Sequence, residues 1–271
     1  MAFPFKLHLD WHPLSLAALV EWERNPRLPK IGIITVHGGG RDRREFHRFE
    51  TFINAAGYEM LLFDYRDHGI SEGQGKGMDW GNASYHDVLG AAHFAKHCLQ
   101  WDKVICLGVS NGAVLTLLAA SHDQGNLIDG VVAESPFMSL ASGVHDVIDI
   151  EAHSYPKMVQ LFSLVVIPLV VLLLHFRLGG LMGIPRSSSC LAMIDQIGSR
   201  PVLLIHGTAD NRFRPSQTIR LFEALKHKDK ELWLVEGGKH TEVYDHAPLE
   251  YQNKLLTFIR THFVEPSLAR T

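Results

Sequence analysis

Val104-Ile105-Cys106-Leu107-Gly108-Val109-Ser110-Asn111-Gly112-Ala113-Val114-Leu115 decides the fold of this chain. Residues 104–108 form a short apolar run that ends in glycine, the pattern of a buried strand. From Ala113 the sequence continues rich in alanine and leucine to Ala120, which predicts a helix over residues 111–121. G-V-S-N-G joins the two. A serine on so sharp a strand-to-helix turn is lifted above the sheet edge on a strained backbone. Glycines two residues to either side, Gly108 and Gly112, let strand and helix pass closely. An ordinary glycine-rich turn is the alternative, and the strand before and helix after favour the elbow. Ser110 is therefore the candidate nucleophile.

Outward from this elbow, apolar β-rich runs alternate with helical stretches. Strands are expected at residues 5–9, 16–21, 31–36, 60–64, 104–108, 130–134, 202–205 and 231–235, and helices at 43–56, 83–100, 111–121, 215–226 and 248–263. The early part suits an antiparallel hairpin and the rest reads as βαβ units. The expected class is α/β, with a mostly parallel central sheet of about eight strands and helices on both faces. Right-handed crossovers gather the strand C-terminal ends along one edge, where loops can share a site. The alternation breaks once, over residues 136–200. The expected organisation is a core of residues 1–135 and 201–271, with a helical cap at 136–200 inserted after the sixth strand.

A hydroxyl is a weak nucleophile near neutral pH and needs a base, which in turn needs an orienting carboxylate. Asp210, in H-G-T-A-D at 206–210, and His240, in G-G-K-H at 237–240, each follow a predicted strand, so both reach the edge that carries Ser110. Position selects His240 from the 17 histidines. Glu134, at the end of the strand at 130–134, is a rival carboxylate, but the loop context favours Asp210 and leaves Glu134 to support the site or cap a strand. His206, within or at the end of a strand, is expected to pack near the site. Charge developing on an attacked carbonyl needs donors. The glycines of H-G-G-G at 37–40 bring backbone N–H groups close, so an oxyanion hole is expected from Gly38 or Gly39 together with Asn111.

These pieces resemble the α/β-hydrolase fold over nearly the whole chain: H-G-G-G, then F-D-Y-R-D-H-G-I-S-E-G at 63–73, G-V-S-N-G, H-G-T-A-D and G-G-K-H. The second block is similar to the D-Y-R-G-x-G-x-S-x-G run of the serine aminopeptidase-like branch, which includes lysophospholipase-like and acyl-thioesterase members. The resemblance implies a Ser110–His240–Asp210 triad and no cofactor. Asp67 departs from it, since glycine is usual there. A variable cap is also implied at 136–200, which makes substrate the least transferable property.

Residues 158–176 lie between Lys157 and Arg177 without one charged side chain. A single membrane crossing there would separate Ser110 from Asp210 and His240, and Pro168 would break a helix. A buried cap or an apolar lid is expected, and with it a hydrophobic acyl substrate. Contact of this run with a bilayer surface stays open. Asp146, Asp149 and Glu151 just before it read as a solvated helix start, with an ammonium-binding role in a peptidase as the alternative.

The formal net charge of −3 gives no general attraction to nucleic acid. Cys98, Cys106 and Cys190 show neither disulfide nor zinc spacing, and Cys106 belongs in the core. His93 and His97 share a helix face without the glutamate of a zinc motif, so no metal is expected. The N-terminus lacks the pattern of a secretory signal, so a cytoplasmic start is expected. The function read from these residues is ester or thioester hydrolysis, with a peptidase and a non-catalytic binding protein as alternatives.

Overall fold

The computed structural model describes residues 8–12, 28–73, 83–152 and 189–265, with Val166 and Leu169 as isolated helical positions. Seven strands, β1 (His8–His12), β2 (Ile31–Val36), β3 (Glu59–Asp64), β4 (Lys103–Val109), β5 (Gly130–Glu134), β6 (Val202–Gly207) and β7 (Lys230–Val235), form one sheet in the order β1-β3-β2-β4-β5-β6-β7. Six are parallel, and β1 runs antiparallel to β3 at the edge, with His8 opposite Asp64. The α/β class is as expected. Seven of the eight expected strands stand among the described residues, and the eighth, at 16–21, lies outside them. The segment at 136–200 follows the strand Gly130–Glu134, as expected. Among the described residues β1 pairs with β3, and the hairpin neighbour expected at 16–21 lies outside them.

Helices α1 (His47–Ala55), α2 (Tyr85–His97), α3 (Asn111–His122), α4 (Leu140–Ala152), α5 (Cys190–Met193), α6 (Pro215–Ala224), α7 (Val243–His246) and α8 (Pro248–Ile259) surround the sheet. The period-2 alternation of the strands divides the core. Ile33, Ile105, Leu107, Val132 and Ile205 meet Phe49 and Ile53 of α1 and Tyr251, Leu255 and Phe258 of α8. Ile34, Val36, Cys106, Val131 and Leu204 meet α2, α3 and Leu221 of α6 on the other face. Every residue of α3 from Asn111 to Ser121 is buried, as befits a helix that is apolar all round. The strand and helix on either side of Ser110 are thus almost wholly enclosed.

Candidate active site

Ser110 joins β4 to α3 with φ 53° and ψ −119°, a left-handed φ that residues with a side chain seldom adopt. Close packing imposes this turn. A Cβ at Gly112 would stand 2.0 Å from the Val36 carbonyl oxygen, and one at Gly108 2.3 Å from that of Gly112. Two hydrogen bonds hold it, from Ser110 N–H to the Glu134 carbonyl (2.8 Å) and from Val114 N–H to the Ser110 carbonyl (3.2 Å).

The loops after β6 and β7 complete the arrangement. His240 Nε2 lies 2.9 Å from Ser110 Oγ, and His240 Nδ1 lies 2.8 Å from Asp210 Oδ2. Asp210 Oδ1 accepts the N–H groups of Arg212 (2.8 Å) and Phe213 (2.9 Å). The two loops are tied to each other: Ala209 N–H donates to the Gly238 carbonyl (3.0 Å), and Gly237 N–H to Thr208 Oγ1 (3.0 Å). Left-handed backbone recurs along this edge, at Ser135 (φ 50°) and Thr241 (φ 57°) as well as Ser110.

Sequence reasoning placed His206 nearby without a role. Its Nε2 lies 3.2 Å from Asp210 Oδ2 and 3.0 Å from the Phe213 carbonyl, and its Nδ1 lies 2.6 Å from Thr218 Oγ1. Two acceptors at Nε2 require the hydrogen there, so His206 donates to Asp210. Burial opposes the charge on Asp210. Hydrogen bonds from His206 and His240 outweigh it and hold the carboxyl well below the usual carboxylate range. The signal was a polar ring in a strand interior four residues before Asp210, since buried polar groups need partners. In His206→Phe, Asp210 loses one donor to its charge. The labelling rate of Ser110 by a fluorophosphonate should fall about 10- to 100-fold, with circular dichroism to check that the fold is retained.

The oxyanion loop needs one correction. Gly38 N–H donates to Glu45 Oε2 at 2.7 Å and is already committed. The loop's remaining candidate donor is the exposed Gly39, across from Asn111 at the start of α3. Burial pushes the Glu45 carboxyl above its ordinary range. His37 stacks on Tyr65 with ring centroids 4.2 Å apart, and burial lowers it to about 4, so it is neutral. Asn111 Nδ2 donates to Tyr65 Oη (3.1 Å). The block at 63–73 therefore braces both sides of the expected oxyanion hole. Asp67 adopts φ 61°, which explains why glycine suits that position and why aspartate, tolerant of left-handed backbone, can replace it.

Glu134 does not hold His240. Its Oε1 accepts Val243 N–H at 3.3 Å. Asp146 and Asp149 are not a free acidic patch either. Asp146 accepts Arg214 N–H (2.9 Å) and the Gln217 side chain, and Arg214 also pairs with Asp149, which ties α4 to α6. His93 and His97 lie side by side on α2, and no cluster of metal-ligating side chains occurs among the described residues. All three cysteines are free thiols. Cys106 and Cys190 are buried, which pushes their thiols up.

A cleft of about 1000 Å³ opens above Ser110 and His240. Its walls carry charge, with Arg41, Arg44, Arg48 and Arg212 alongside Glu45 and Glu242. Asp42 pairs with Arg44 and Asp245 with Arg48. Apart from Val166 and Leu169, the apolar run at 158–176 lies outside the described residues. No helix among the described residues is long and apolar enough to cross a membrane.

This sheet, with serine, aspartate and histidine following its strands, has α/β-hydrolase architecture. The chain belongs to the serine aminopeptidase S33 family, whose model matches residues 28–174, and the model of the prolyl oligopeptidase family matches residues 187–265. It is 29% identical over 204 residues to the uncharacterized protein YqkD of Bacillus subtilis, a match covering 75% of this chain and 62% of that one. This chain therefore spans less than two thirds of that relative's length. In structure it resembles the Pyrococcus furiosus esterase Pf2001 (TM-score 0.66, 21% identity, 87% of this chain and 84% of that one). It also resembles a monoacylglycerol lipase from Paleococcus ferrophilus (TM-score 0.59, 21% identity, 95% and 99%). At these identities the likeness concerns the fold and not the substrate.

Proposed function

We propose that this protein is a serine hydrolase that cleaves carboxylic esters or thioesters through an acyl-enzyme. One observation carries the reading, the hydrogen-bonded chain from Ser110 Oγ through His240 (2.9 Å) to Asp210 (2.8 Å). Ser110 Oγ attacks the carbonyl carbon while His240 Nε2 takes its proton. His240 returns that proton to the leaving alcohol or thiol, and water then attacks the acyl-enzyme with His240 again as base. Asp210, held ionised, keeps the imidazole oriented and stabilises its cationic form. The N–H groups of Gly39 and Asn111 receive the oxyanion. No cofactor enters these steps.

Residues 136–200 are read as the cap over this chemistry. The charge-free run at 158–176 supplies the apolar acyl side or touches a bilayer, and the charged cleft accepts a polar leaving group. A peptidase is the second reading, favoured by the two peptidase families matched and by the Glu45 carboxyl in the cleft, which could receive a substrate ammonium.

A panel of acyl esters and thioesters of rising chain length, run with and without vesicles beside aminoacyl amides, separates these readings. Each methylene that the cap buries is worth about 0.8 kcal/mol, roughly fourfold in kcat/KM. Longer acyl chains should therefore be preferred, and substitutions in 158–176 should abolish the preference. Equal turnover of short and long esters would refute the hydrophobic acyl site, and faster turnover of aminoacyl amides would transfer the assignment to the peptidase.

A further inference from the structure

Glu134 is the last residue of β5, and it is 1% exposed. It stands in register between Val109 of β4 and Ile205 of β6. Its two ends reach the two halves of the site. The main-chain carbonyl accepts Ser110 N–H (2.8 Å), and side-chain Oε1 accepts the N–H of Val243, three residues beyond His240 (3.3 Å). Oε2 and the Tyr251 hydroxyl of α8 are buried and neither makes a well-formed hydrogen bond, though the carboxyl and the phenol interact. Arg48 of α1 and Glu45 also face this carboxyl, with opposite charges. None of the steps proposed above uses Glu134.

We infer that Glu134 is a positioning residue, tying the strand end that supports the Ser110 backbone to the turn that carries His240. This rests on the triad reading, since it concerns how two of its members are kept in register. The neutral acid suits the place. One backbone N–H at 3.3 Å and one phenol are a thin shell for a fully buried carboxylate. Burial pushes Glu134 up to about 7, against the Tyr251 hydroxyl and Val243 N–H, which favour the charge. Tyr251 itself is pushed well above 10 by burial and stays a phenol. A raised carboxyl is neutral below its folded value and ionises as pH rises through it. The acid is therefore neutral below about pH 7, and above it a buried charge sits between the two loops, faced by the Tyr251 hydroxyl, Val243 N–H and Arg48.

The measurement is the rate of fluorophosphonate labelling of Ser110 across about pH 5 to 9, in the wild-type chain, Glu134→Gln and Tyr251→Phe. In wild type the rate should fall about tenfold on the alkaline side as Glu134 ionises. Glu134→Gln cannot ionise and should lose the alkaline fall. Tyr251→Phe removes a group that favours the carboxylate and should move the fall to higher pH. Superimposable wild-type and Glu134→Gln profiles would overturn the inference. Should Glu134→Gln fail to fold, an unshifted Tyr251→Phe profile overturns it equally. Absence of labelling in folded wild type at every pH would instead overturn the acyl-enzyme reading.

Discussion

Ser110→Ala, His240→Ala and the double variant should all fall to one residual rate, about 10⁴- to 10⁶-fold below the parent. The reason is the single chain of hydrogen bonds they share. Without His240 the Ser110 hydroxyl keeps its proton, and without Ser110 the base has nothing to activate, so the second deletion removes nothing further. Asp210→Asn belongs to the same series. The carboxylate that accepts from both His206 and His240 becomes an amide, which favours the wrong tautomer of His240 and should cost about 10⁴-fold. Steady-state hydrolysis of an activated ester, with labelling as a second readout, checks all four variants. A double variant far slower than either single one would mean that the residues act independently.

The second large effect is on stability. Gly112→Ala places a methyl 2.0 Å from the Val36 carbonyl oxygen and 2.5 Å from that of His37. Both are backbone atoms in the central sheet or directly after it, so neither can swing aside. Separating β2 from α3 would open the core on the face of the sheet that α3 covers. The expected loss exceeds about 3 kcal/mol, seen as a lower urea midpoint or as failure to fold. Alanine is normally the better helix former by about 1 kcal/mol, so the sign of this result separates close packing from helix propensity. A stabilised Gly112→Ala would show that the elbow has room to move.

Much of the fold was legible because its strands are short apolar runs punctuated by glycine. Residues 31–36 and 130–134 are strands with the boundaries expected, and Ser110, Asp210 and His240 do converge. Ends set by local geometry were less visible. The helix expected from residue 43 opens with a 3-10 turn at Arg43–Phe46, whose N-cap is Asp42. The helix expected to reach residue 100 stops at His97, and Gln100 takes φ 56°. The first strand is described at His8–His12, beyond the end expected at residue 9, and residues 5–7 of the expected strand lie outside the described residues. The roles of Glu45, His206 and Glu134 were hidden for a different reason. Each depends on where a side chain points once neighbouring strand ends are in register, and spacing along one chain carries no trace of that.

The gap of 130 residues between Ser110 and His240 has a consequence for synthesis. The ribosome delivers Ser110, its strand and its helix long before β6 and β7 exist. Until those two strands add to the edge of the sheet, Ser110 is an ordinary hydroxyl with no base beside it. A nascent or truncated chain ending before residue 240 therefore carries the serine without its reactivity. On the proposed reading the order of the strands acts as a safety catch, and reactivity at Ser110 waits for the loop that follows β7.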